Sequence, residues 1–121
     1  MNAETPGVDI TVTMAAYNEA ACIVSTLREL AGVLATLNRT FEVLVVDDGS
    51  TDETHLLLAE LRGEIAALRI IRLTPNSVQS AALGTGFRRA RGRIIVTMDA
   101  DGQDDPSNIP RLLAEMDAGF D

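Results

Sequence analysis

The chain has 121 residues, of which 46% are apolar and only 3% aromatic, and its net charge is −8. That length suits one domain, residues 1–121, with an aliphatic core of Leu, Ile, Val and Ala. The acidic balance argues against a nucleic-acid binder, which normally carries a basic face, but leaves a nucleotide ligand open, because a bound cation can supply the missing positive charge.

The opening stretch, Met1 to Gly7, has no apolar pattern and is expected to be disordered. It also lacks the basic and apolar runs of a signal peptide, and no stretch approaches the roughly 20 apolar residues that span a bilayer. A cytoplasmic chain is therefore expected. Ile10 to Met14 reads as a strand. Glu19 to Leu37 reads as a helix, since Ile23, Leu27, Leu30, Leu34 and Leu37 fall on one helical face. Cys22, the single cysteine, falls on its apolar side and reads as a small buried hydrophobe. Phe41 to Val46 is a near-continuous apolar run, as in a parallel strand covered on both faces. Ser50 with Glu53 has the form of a capping box and opens a helix with Leu57, Leu58, Leu61, Ile65 and Leu68 facing inward. His55, beside it, reads as a surface residue. Leu68 to Leu73 is a third strand, Thr74 to Ser77 a turn, and a helix follows to about Arg91 with Gly92 as its stop. Arg93 to Met98 is a fourth strand. A polar loop from Asp99 leads to a last helix that starts near Pro106 and carries Ile109, Leu112, Leu113 and Met116. Alternation of this kind predicts an α/β fold, three layers of α/β/α around a mostly parallel sheet with right-handed crossovers.

In such a sheet, ligands bind beyond the carboxyl ends of the strands. The polar residues gather there: Tyr17, Asn18 and Glu19 after the first strand, Asp47 and Asp48 after the second, Asp99, Asp101 and Gln103 after the fourth. Asp99 and Asp101 stand one residue apart. Carboxylates that close repel unless a cation lies between them, and Mg²⁺ or Mn²⁺ with substrate phosphates as further ligands suits them, Gln103 adding a neutral oxygen. An acidic, solvated turn with Asp105 capping the last helix is the plainer reading. Two adjacent Asp residues at a buried strand end exceed what capping requires, and one of them could accept a hydrogen bond from a base or ribose.

The stretches TMAAYNEA (Thr13 to Ala20), VVDDGSTDET (Val45 to Thr54) and AALGTGFRRARGRIIVTMDADGQDDPSNIP (Ala81 to Pro110), in this order and spacing, resemble family 2 glycosyltransferases of the Rossmann-like GT-A fold. They are most similar to the branch that transfers sugars to polyprenyl and dolichyl phosphates. The resemblance implies that Ala15, Tyr17 and Glu19 line a base pocket and that Val46 and Asp48 contact the base. It implies that Asp99, Ala100 and Asp101 hold ribose and the metal-bound pyrophosphate, with Asp99, Asp101 and Gln103 as the metal group. The implied reaction is a metal-dependent, inverting transfer from a UDP- or GDP-sugar, UDP being the first expectation, to a lipid phosphate at the inner face of a membrane. Two positions depart from the family pattern: Ala15 stands where Pro is usual, and Val78 replaces a Gly, removing a permissive backbone position.

A further strand would be natural after Asp121, so the chain is expected to end before the acceptor half. No general base is then identifiable, a donor-binding module without transfer is the alternative, and the exposed edge would favour self-association, which light scattering tests. A receiver-type phospho-acceptor domain or a haloacid-dehalogenase-type phosphatase fits less well, because both need a Lys and every basic residue here is Arg.

Overall fold

The computed structural model describes residues 7–74, 79–102 and 104–119. The chain runs β1 (Val8–Ala16), α1 (Ile23–Ala35), β2 (Phe41–Asp47), α2 (Thr54–Glu64), β3 (Leu68–Arg72), α3 (Gln79–Arg89), β4 (Gly92–Asp99), a 3₁₀ turn (Pro106–Asn108) and α4 (Ile109–Asp117). The described strands form one sheet in the order β3-β2-β1-β4, all parallel. The alternating elements thus form the parallel α/β sheet expected of them. The expectation for 1–7 falls outside the described residues, except at Gly7, whose carbonyl accepts from the Thr40 hydroxyl at 3.2 Å. The Asn76–Gln79 loop also falls largely outside them.

Parity along the strands sorts the two faces. Ile10, Val12 and Met14 of β1, with Val43 and Val45 of β2, join Ile23, Leu27, Leu30 and Leu34 of α1, Leu58 and Leu61 of α2, and Ile109 and Leu113 of α4 in one buried cluster. Each such aliphatic side chain contributes about 1.5–3 kcal/mol when fully buried. The opposite face carries Thr11, Thr13, Glu42 and Leu44, all buried. There α3 lies close enough that a Cβ on Gly86 would overlap the Thr13 side chain, so this helix needs glycine at its contact with β1.

Several boundaries move. Pairing on both sides extends β1 to Val8–Ala16, beyond the apolar core of its sequence. Helix α1 starts at Ile23, four residues later than its apolar period alone suggests, with Cys22 half-buried at its N-cap. It ends before Asn38, whose φ of 57° is left-handed. The capping box does not form: Glu53 is the N-cap of α2 without a side-chain bond, and the Ser50 hydroxyl is taken by Asn18 N–H at 2.9 Å. Gly92 is the first residue of β4 and not a helix stop; a Cβ there would strike the backbone of β1 at Ile10 and Thr11. Of the apolar residues on α4, Ile109 and Leu113 are buried while Leu112 and Met116 lie outward. Asp105, expected to cap the last helix, caps the 3₁₀ turn that leads into it, accepting from Ser107 N–H at 3.0 Å, while the N-cap of α4 itself, Asn108, makes no side-chain cap bond.

At the amino end of the strands, Glu42 accepts from Thr11 Oγ1 at 2.6 Å, from Arg91 N–H at 2.7 Å and from Arg69 Nη1 at 2.5 Å. Thr11 Oγ1 in turn accepts from Gly92 N–H at 2.7 Å. This buried carboxylate ties β1, β2, β3 and the α3–β4 turn together. No described helix is long and apolar enough to cross a membrane.

Candidate functional site

Register decides which strand-end residues meet. Ala15 pairs with Val46 on one side and with Asp99 on the other, so the three share a row at the carboxyl edge. One step further, Ala16 pairs with Asp47, and Asp47 with Arg72. Three of the four strands therefore deliver a carboxylate or its neighbour to one edge, although their residues lie more than 80 positions apart in the chain.

Electrostatics report the same convergence. The Glu19 carboxyl is pushed above its ordinary value, first by burial and then by the charges of Asp101, Asp52 and Asp99. Three separate loops thus bring negative charge to one place. Among the described residues no three His, Cys, Asp or Glu groups form a complete metal cage. Asp99 and Asp101 are both exposed, and the Asp99–Gly102 turn is held from within: Asp99 N–H donates to Asp104 Oδ2 at 2.8 Å, and Gly102, with φ of 83°, lies over Cys22 and Thr26 of α1. Gln103 falls outside the described residues.

At the end of β2, Asp47 is fully buried. Its Oδ1 accepts from Ser50 N–H at 3.0 Å, while Oδ2 has no hydrogen bond and lies 3.7 Å from Arg72 Nε. Arg72 also donates to the Ser50 carbonyl at 3.1 Å. Asp48 Oδ1 is buried without a hydrogen bond as well. Asp47 Oδ2 has the Arg72 charge beside it, whereas an unbonded buried oxygen such as Asp48 Oδ1 is costly in a finished structure; an N–H-bearing ligand would satisfy it. Tyr17 is 54% exposed, so its ring is available to stack. Val46 and Ala100 are buried as whole residues, at 0% and 2% exposure, so neither offers surface to a ligand, unlike the roles the resemblance implies for them. His55 is half-buried, with Nδ1 buried and unbonded, in contrast to its reading as a surface residue.

The sequence places Asn18 among the strand-end polar residues and Ser50 in a cap, and gives Asp52 and Asp104 no part, yet these four hold the loops. Asn18, Ser50, Asp52 and Asp104 make side-chain bonds to the backbone of the strand-end loops. The Thr54 hydroxyl, then the N–H groups of Thr54 and Ala20, hold the Asp52 carboxyl below its ordinary range. The one available signal was the loop position of a left-handed-tolerant residue, Asn18.

Glu19→Gln is expected to raise the melting temperature of the unliganded chain at pH 7 by a few degrees. The folded carboxyl titrates above its unfolded counterpart, so ionised Glu19 opposes folding at neutral pH and ceases to do so below about pH 4.3. Thermal melts at pH 7 and pH 4 check this: the gain should appear at the first and vanish at the second. A loss of stability at pH 7 would contradict the clustering of charge.

The family model described as Glycosyl transferase family 2 matches residues 11–121. An undecaprenyl-phosphate 4-deoxy-4-formamido-L-arabinose transferase of Klebsiella pneumoniae is 37% identical over 117 residues, covering 96% of this chain and 36% of the relative. The chain therefore spans about a third of the length of the curated relatives it matches. Among solved structures, S. aureus TarS 1-349 in complex with UDP matches with a TM-score of 0.71 at 25% identity, over 92% of this chain and 32% of that one. Mannosyltransferase PcManGT from Pyrobaculum calidifontis, in complex with GDP-Man and Mn²⁺, matches with a TM-score of 0.64 at 33% identity, over 80% and 28%. The fold shared with these neighbours is the GT-A fold that the sequence motifs implied.

Proposed function

The chain belongs to glycosyl transferase family 2, and on that basis we propose that its carboxyl-end edge binds a nucleoside-diphosphate sugar together with Mg²⁺ or Mn²⁺. In this reading the chain supplies the donor side of an inverting sugar transfer to a polyprenyl phosphate at the inner face of a membrane. The observation that carries it is the convergence of Glu19, Asp99 and Asp101 at the edge where Ala15 pairs with Asp99. Relatives named for undecaprenyl-phosphate sugar transfer support the acceptor class. Neighbours bound to UDP and to GDP-Man support the donor class.

The residues present fit a hard divalent ion. Such ions take one or two carboxylates and complete their shell with phosphate and water, and Asp99 and Asp101 offer two carboxylates without closing a full protein cage. Gln103 is a third candidate. When bound, the ion would act as a Lewis acid toward the departing diphosphate. The chain's own residues bind and orient: Tyr17 stacks on the base, Asp48 accepts a base N–H, and Ala15 and Glu19 line the base pocket.

Calorimetric titration of UDP and of GDP, with and without Mn²⁺, tests the reading. Metal-dependent binding of one nucleotide is expected, and the tighter one names the donor class. Binding of neither would sink it. Binding without sugar transfer to a polyprenyl phosphate would identify a donor-binding module.

A further inference from the structure

Two strand-end loops lie against each other at the carboxyl edge, one following β1 and carrying Tyr17 and Glu19, the other following β2 and carrying Asp48. Their bonds run both ways. From the first loop, the successive N–H groups of Asn18, Glu19 and Ala20 donate to Ser50 Oγ, Thr54 Oγ1 and Asp52 Oδ2 at 2.9, 2.9 and 3.3 Å. From the second, the N–H groups of Thr51 and Asp52 donate to the single oxygen Asn18 Oδ1 at 2.8 and 3.2 Å. Asn18 Nδ2 adds a bond to Thr51 Oγ1 at 3.3 Å.

Asn18 is the only described residue of the first loop that serves in both directions, and its backbone is left-handed, with φ of 53°. Asn tolerates that conformation better than most side chains, and its short amide reaches nearby backbone groups. The left-handed turn is what aims three consecutive N–H groups at one neighbouring loop. Glycine would keep the turn and lose the amide; alanine would lose both.

We propose that Asn18 is a positioning residue, which pins the β1 loop to the β2 loop and so sets the width of the slot between Tyr17 and Asp48. This role rests on the nucleotide-binding reading above. A slot held before the ligand arrives spares the ordering cost of binding, so loosening it weakens affinity more than it weakens the fold, whose core lies elsewhere.

The test compares the full chain with Asn18→Gly, Asn18→Ala and Asn18→Asp, measuring UDP and GDP affinity in Mn²⁺, melting temperature, and amide exchange at Thr51 and Asp52. Asn18→Gly is expected to speed exchange at those two amides and to weaken nucleotide binding about tenfold, with melting nearly unchanged. Asn18→Asp keeps the acceptor oxygen and should restore both most of the way, whereas Asn18→Ala should fall below Asn18→Gly in melting temperature. Wild-type affinity in Asn18→Gly, or an Asn18→Asp no better than Asn18→Gly, would overturn the proposal. A wild-type chain that binds neither nucleotide would overturn it together with the site; exchange at Thr51 and Asp52 that still responds to Asn18→Gly would then mark the site reading, and not the loop bonds, as the fault.

Discussion

Glu42→Ala is expected to cost the fold about 3–4 kcal/mol, the scale of breaking a buried, bonded charge pair. Against a total stability of about 5–15 kcal/mol for a domain, that is enough to leave the chain marginal. The reason lies in what the carboxylate satisfies. Its oxygens take the Thr11 hydroxyl, the Arg91 N–H and the Arg69 guanidinium, and the Glu42 side chain is only 5% exposed. Removing it leaves the Thr11 hydroxyl proton and the Arg91 N–H without their acceptor at the point where α3 turns into β4. Arg69, at 25% exposure, can turn to water and soften the loss. Burial alone would push the Glu42 carboxyl up; the bonds from Thr11, Arg91 and Arg69 outweigh it and hold the group below the ordinary glutamate range. A depressed folded value means that this stabilisation is complete above the unfolded value of about 4.3 and fades as pH falls through the lower folded one. Urea unfolding at pH 7 and in acid measures both parts: the gap between variant and wild type should be wide at pH 7 and close in acid. A gap under about 1 kcal/mol at pH 7 would show that water replaces the carboxylate.

Asp101→Ala is expected to remove about 2–3 kcal/mol of nucleotide affinity in Mn²⁺, roughly a factor of 30 to 150, while leaving affinity without metal unchanged. The asymmetry follows from the donor set. In the proposed site, an ion held by two carboxylates and a diphosphate would lose one of its two charged protein ligands when Asp101 goes, whereas Tyr17 and Asp48, proposed to take the base, would be untouched. The fold should not suffer, because Asp101 is exposed and its charge is among those that raise the Glu19 carboxyl; the unliganded variant should melt no lower than wild type. Titration of each nucleotide with and without Mn²⁺, on wild type and variant, separates the two contributions. Equal metal-dependent binding in both proteins would remove Asp101 from the metal group.

Much of this architecture can be read from one strand of text. The spacing of Ile23, Leu27, Leu30 and Leu34 alone marks α1 and its buried face, as all four are buried. The runs around Val45 and Ile95, alternating with helical segments, imply a parallel sheet, and a parallel sheet implies that Tyr17, Asp48 and Asp99 share its carboxyl edge. Those inferences work because hydrophobic periodicity reports how a segment meets any apolar surface, whichever surface it is.

The rest depended on which segments became neighbours. Ser50 and Glu53 satisfy the local rule for a capping box, yet the Ser50 hydroxyl serves Asn18, 32 residues away. Gly92 satisfies the rule for a helix stop, yet it is glycine because β1 lies against it. Glu42 interrupts an apolar run with no local sign of the Thr11, Arg69 and Arg91 groups that make its burial tolerable. By itself, then, the sequence determined the elements, the sheet type and the edge where the acidic residues gather. Only the tertiary structure decided which hydroxyl, amide or carboxylate answers which buried partner, because a hydrogen bond is short and directional and strand register must first bring its two ends within about 3 Å.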